Sequence, residues 1–132
     1  LNNLLGYAVT RKQTRCALLE TWLSEGSIDL MDGTRRATPE TAITTQTVLA
    51  TFTLAAVAGT ATNGVFTGAL PDATLVLADG SPTWAVVKDS SGDPVFDCDV
   101  GGDSSGAVIE MPNTNLVTGA LVSITSFSLA EA

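Results

Sequence analysis

The chain has 132 residues, is 45% apolar but only 5% aromatic, contains no histidine and carries a formal net charge of −8. That length fits one domain, able to bury roughly two-thirds of its unfolded surface without disulfide or metal staples. The missing histidine excludes Ser-His-Asp and Cys-His catalysis and His-ligated zinc, and an acidic body without clustered Arg and Lys excludes the wrapping of nucleic acid.

Residues 1–9 form an apolar segment broken by Gly6 and read as an N-terminal arm, with Leu1, Leu4, Leu5 and Tyr7 as its contact-forming side chains. Residues 10–132 read as a single domain. Thr10-Arg11-Lys12-Gln13 matches a capping box and opens a helix over 10–25. Leu18, Leu19, Trp22 and Leu23 follow helical spacing as its apolar face, and Gly26 suits the left-handed residue beyond its end.

After Gly26 the period changes to two. Ser27–Met31 alternates and turns at Asp32-Gly33, and 34–46 contains Pro39 without any period, which reads as a long loop. Val48–Leu54 is a strand, 64–69 follows the Asn63-Gly64 turn signal, and 73–78 ends at Asp79-Gly80-Ser81-Pro82. Thr83–Lys88 and Pro94–Val100 flank Asp89-Ser90-Ser91-Gly92-Asp93 as a hairpin. Its second strand alternates Phe96, Cys98 and Val100 with Val95, Asp97 and Asp99, which predicts one buried and one wet face. After the flexible 101–106 loop, 107–111 and 121–129 complete about eight short strands. The expectation is a mainly β fold, an antiparallel β-sandwich or jelly roll over 27–130 with one N-terminal α-helix.

No glycine-rich run matches a phosphate loop or a dinucleotide fingerprint, and Cys98 sits between two carboxylates that disfavour a thiolate. The chain is therefore expected not to be an enzyme, with no catalytic residue and no cofactor. Cys16 and Cys98 read as reduced thiols of a protein made in cytoplasm, one long-range disulfide staying open, and no apolar run reaches membrane-spanning length. Calcium is the alternative, through Asp89, Asp93, Asp97 and Asp99. Pro94 stands where an EF-hand loop needs Gly, and Val100 where it needs its bidentate Glu, so only a looser oxygen cluster would serve.

Charge is divided unevenly. Residues 1–36 hold five of the six basic side chains and sum to +1, whereas 37–132 hold only Lys88 against ten acids and sum to −9. Solubility accounts for this, as does an N-terminal segment that docks on a surface different from the acidic body. Partner contacts are assigned to the arm residues and to Arg11, Arg15, Trp22, Arg35 and Arg36. Either arginine after Asp32-Gly33 reads as an exposed side chain or as a bridge to a neighbour's carboxylate.

The run Ile28-Asp29-Leu30-Met31-Asp32-Gly33-Thr34-Arg35, the hairpin Trp84-Ala85-Val86-Val87-Lys88-Asp89-Ser90-Ser91-Gly92, the segment Asp97-Cys98-Asp99-Val100-Gly101 and the strand Val122-Ser123-Ile124-Thr125-Ser126-Phe127 resemble a family of small virion proteins of tailed bacteriophages and prophages. The resemblance covers about residues 12–129. Met31 and Arg36 stand where the family has Tyr and Pro, and Cys98 where it has Gly. What the resemblance implies is a structural virion role, capsid decoration or cementing first. The protein would be made in the host bacterial cytoplasm, then sit on the capsid surface as a dimer or trimer against the major capsid protein or another virion protein, with no nucleic acid or membrane partner. A tail, baseplate or fibre component and a calcium-dependent adhesion or carbohydrate module are the alternatives.

Overall fold

A computed structural model describes residues 8–130. Helix α1 (Val9–Trp22) is followed by strands β1 (Ser27–Met31), β2 (Val48–Thr53), β3 (Gly59–Thr62), β4 (Val65–Gly68), β5 (Thr74–Leu75), β6 (Trp84–Lys88), β7 (Pro94–Gly102), β8 (Ile109–Met111), β9 (Leu121–Val122) and β10 (Ser126–Ala130). Eight strands form one curled sheet in the order β2-β1-β6-β7-β8-β10-β4-β3, and β5 pairs with β9 in a separate ribbon. The mainly β, sandwich-like fold with one N-terminal helix is as the sequence predicts.

Its details correct the prediction in several places. The helix starts at Val9 and ends at Trp22, and its cap position is Ala8 with no side-chain cap, so the Thr10 capping box does not form. Gln13 instead spans helix and sheet: its amide nitrogen donates to the Ala61 carbonyl at 2.7 Å and its oxygen accepts the Gly64 amide at 3.1 Å. The buried face is Cys16, Leu19 and Leu23, while Leu18 and Trp22 are exposed. Beyond the helix Glu25, not Gly26, takes the left-handed conformation, with φ 56°. Gly26 is needed for a different reason: a Cβ there would stand 2.1 Å from the Lys88 carbonyl oxygen.

Ten strands replace the predicted eight. The additions are β3, the unrecognised partner of β4, and the division of 121–129 into β9 and β10. Asn63 and Gly64, with φ 53° and 80°, form the two-residue hairpin between β3 and β4, a turn that needs positive φ at both central positions. The sheet is mixed, because β7 and β8 run parallel with only 103–108 between them. So short a return between parallel strands is unusual. The Glu110 carboxylate stitches it by accepting the Ser104 and Gly106 amides, Asp99 accepts the Val108 amide, and the Thr125 hydroxyl bonds Asp103.

The main core collects Leu19, Leu23, Ile28, Leu30, Phe52, Phe66, Val87, Ile109 and Phe127 with their neighbours, and Phe66 meets Phe127 edge to face at 5.8 Å between ring centroids. β1 is hydrogen-bonded on both sides, to β2 and β6, and four of its five residues are buried, which explains why its alternation does not divide core from solvent. The opposite face of β1, β6 and β7 carries a smaller cluster of Met31, Trp84 and Val86.

Candidate interaction surfaces

Register places Asp29, Val86 and Asp97 side by side across β1, β6 and β7 on the face away from the main core. Burying two carboxylates there requires compensation for each. Asp29 receives the Lys88 ammonium at 2.8 Å and the Thr51 hydroxyl at 2.8 Å. Asp97 receives a bidentate fork from Arg36, Nε to Oδ2 and Nη2 to Oδ1, both at 2.8 Å. The two side chains of this second pair are only 8% and 1% exposed. The predicted wet face of β7 is corrected at Asp97, which is covered.

What covers it is the 32–47 loop, folded across the sheet as a strap. The Trp84 indole donates to the Asp32 carbonyl at 2.9 Å, and Thr83 donates to Gly33. The Arg36 guanidinium lies 5.7 Å from the Trp84 ring centroid and donates to the Thr41 carbonyl, while Arg35 donates to the Asp97 backbone oxygen. Hydrogen bonding to Asp97, more than their Coulomb attraction, holds the Arg36 guanidinium above its usual pKa. Arg36 therefore bridges to a carboxylate of its own chain. This corrects both sequence readings of that residue, the exposed side chain and the reach to a neighbour.

The proposed calcium ligands are not brought together. Asp89 caps its own turn, accepting the Ser91 and Asp93 amides at 2.9 and 3.0 Å, Asp97 is held by Arg36, and Asp99 accepts Val108. No group of three or more His, Cys, Asp or Glu among the described residues is placed to hold a metal ion. Cys16 and Cys98 are both buried, and burial pushes the Cys98 thiol up to about 12. Leu1, Leu4, Leu5 and Tyr7 lie outside the described residues. No helix among the described residues is long and apolar enough to cross a membrane.

Arg11, Arg15, Leu18 and Trp22 recur every three or four residues and form one exposed flank of α1. The other flank, Gln13 and Glu20, is hydrogen-bonded to the β3–β4 hairpin. Trp22, Leu19, Val95, Phe96, Val108 and Leu129 line a groove of about 460 Å³ beside the exposed flank, with Arg35, Asp97, Cys98 and Asp99 also on its wall. The Trp22 assignment thus falls on an apolar groove formed by helix and β7.

A second surface was missed. In the β5–β9 ribbon Val76, Leu116 and Val122 point inward, and their neighbours Leu75, Leu77, Val117 and Leu121 point out, 55%, 60%, 61% and 73% exposed. Leu75 and Leu121 are directly paired in register. The signal was available in the runs Leu75-Val76-Leu77, Leu116-Val117 and Leu121-Val122, which are apolar at both parities. Strands of that kind are ordinarily buried on both faces. Residues 112–130 contain no charged side chain, and the only charges flanking β5 are Asp72 and Asp79, both acidic. Asp79 accepts the Thr118 amide and hydroxyl, which hold its carboxyl below the usual range.

No protein-family model, curated protein or solved structure matches this chain.

Proposed function

We propose that this chain is a structural subunit of a repeating assembly, a capsid decoration or cement protein of a bacteriophage virion, with no catalytic step of its own. The observation that carries the assembly reading is the β5–β9 ribbon, apolar on the face that packs inward and equally apolar on the face left open. Its four outward residues, of which Leu75 and Leu121 are paired in register, expose roughly 400 Å² together, the size of the largest apolar patch on a typical monomer, which is often functional. Covering that area is worth on the order of 10 kcal/mol before the cost of association, which itself takes about 4–15 kcal/mol. A single contact of this size is weak. Many repeated contacts on a symmetric shell are not.

The virion setting comes from the resemblance of the Asp32-Gly33-Thr34-Arg35 turn and the Trp84–Gly92 hairpin to small phage structural proteins. The strap pinned by Arg36 suits the same role, since a subunit held in a lattice benefits from a rigid sheet face rather than a yielding loop. The buried carboxylates support a structural reading as well, because both are neutralised by partners of their own chain.

The test is incorporation. Particles produced with Leu121→Asp in place of the wild-type chain are expected to lose this protein on gradient purification, while Thr60→Asp, on an exposed position of β3, keeps it. Equal retention of Leu121→Asp would contradict the reading.

A further inference from the structure

We infer that Asn63 is a site of spontaneous backbone modification, deamidation through a cyclic imide with Gly64, which Gln13 of α1 holds in check. The site shares no residue with the ribbon, so its failure and that of the assembly reading are separate. Asn63 is the only asparagine of the sequence that precedes a glycine. The fold calls for that pair. Both central residues of the β3–β4 turn have positive φ, which favours Asn followed by Gly. At the second position α1 also excludes a side chain, since a Cβ on Gly64 would stand 2.8 Å from the Lys12 Cβ. The same bareness leaves the Gly64 nitrogen unhindered as a nucleophile, and Asn63 beside it is exposed.

The reaction needs only base and water. Base takes the Gly64 amide proton, the nitrogen attacks Asn63 Cγ, an N–C bond forms, the Cγ–Nδ2 bond breaks and ammonia leaves. Water then opens the imide at either carbonyl, leaving aspartate or isoaspartate. Two features of the fold oppose the first step. The Gly64 N–H is committed to Gln13 Oε1 at 3.1 Å, so its proton is not free to leave. Ring closure also requires the backbone at Asn63 to rotate out of its left-handed conformation, and the Gln13 bonds to Ala61 and Gly64 resist that opening. Isoaspartate lengthens the backbone of a two-residue turn whose length fixes the register of its strands. The lengthened turn cannot restore both Gln13 contacts, so modification loosens the hairpin from α1.

Incubation at pH 8.5 and 37 °C followed by peptide mapping with mass spectrometry tests this. A synthetic peptide of residues 59–68 should deamidate roughly tenfold faster than the folded chain or more, because reaction within the fold waits on local opening. Gln13→Ala should react at least about fivefold faster than the wild type, the factor of one net hydrogen bond. Gln13→Glu separates the latch from general loosening. It keeps an oxygen for the Gly64 N–H and gives up only the donation to Ala61, so it should stay within about twofold of the wild type. Asn113 and Asn115, followed by Thr114 and Leu116, are the internal reference and should not respond to either variant. In the purified isoaspartyl product the amides of 12–16 should exchange several-fold faster than in the unmodified chain, and unchanged exchange would remove the coupling to α1. A folded chain that deamidates as fast as the peptide, Gln13→Ala no faster than the wild type, or Gln13→Glu as fast as Gln13→Ala overturns the proposal.

Discussion

Replacing Arg36 with Ala leaves Asp97 with a side chain 1% exposed and without its cation. Two charge-assisted hydrogen bonds of 2.8 Å disappear, together with the stacking of the guanidinium on Trp84. Removing one partner of a buried ion pair costs about 3–5 kcal/mol, most of it from the stranded charge rather than from the value of the pair. Arg35, whose Nη2 already reaches the Asp97 backbone oxygen at 2.8 Å, can swing toward the carboxylate and recover part of the loss. The expected cost is therefore about 3 kcal/mol, at the low end of that range. An unfolding entropy of about 0.27 kcal/mol/K for a chain of this length makes that roughly an 11 °C fall in Tm. Arg36→Lys keeps the charge but neither the planar fork nor the stacking, and should lose about half as much. The assay is urea unfolding at pH 7 followed by tryptophan fluorescence, with Arg36→Met, Asp97→Leu and the Arg36→Met/Asp97→Leu double variant completing a cycle. The double variant should be less destabilised than Arg36→Met alone, because no carboxylate is left unpaired. A loss below 1 kcal/mol for Arg36→Ala, or Arg36→Lys indistinguishable from wild type, would refute the claim that this pair pins the strap.

Three further outcomes follow from the same structure. Gly68→Ala would bring a Cβ within 2.1 Å of the Phe127 ring in a fully packed core, so it should destabilise by more than 2 kcal/mol in denaturant titration; Gly92→Ala, with open space but φ +85°, should lose only about 1 kcal/mol. Burial raises the Cys98 thiol from 9.0 to about 12, so its stabilising contribution is complete below pH 9 and is lost as pH rises toward 12. Over that window the wild type should fall relative to Cys98→Ala by about 1.4 kcal/mol per pH unit, and native Cys98 should resist alkylation at pH 8. Asp79 is shifted the other way, so its contribution is present above pH 3.8 and lost as pH falls through the lower folded value; amide exchange at Thr118 should accelerate in Asp79→Asn at neutral pH, and the variant should lack the wild type's loss of protection on acidification.

The architecture was legible where local signals were strong. The alternation of Val48, Ala50, Phe52 and Leu54 with Leu49, Thr51 and Thr53 located β2, the Asp89–Asp93 turn located the β6–β7 hairpin, and the Leu18, Leu19, Trp22 and Leu23 spacing located α1. What sequence order concealed was pairing at a distance. Gln13 sits at a capping-box position, but its amide finds better partners at Ala61 and Gly64, 48 and 51 residues away, so the tertiary contact displaces the local cap. Asp97 alternates as a solvent-facing residue and is nevertheless covered, because the aperiodic 34–46 loop supplies Arg36 from 61 residues upstream. Leu18 and Leu19 are indistinguishable by composition, and only the tertiary packing of the helix decides which one is buried. The leucine ribbon was readable in principle, as strands apolar at both parities, but β5 and β9 are two residues each and lie 45 residues apart. Runs that short carry little periodicity of their own.

An averaged electron-microscopic reconstruction of virions that contain this chain would show whether its apolar ribbon holds it in a repeating assembly. Density for the chain is expected at regular positions on the capsid lattice, with Leu75, Leu77, Val117 and Leu121 buried against a neighbouring subunit. Density confined to the tail tip, or a lattice position in which those four side chains face solvent, would contradict it.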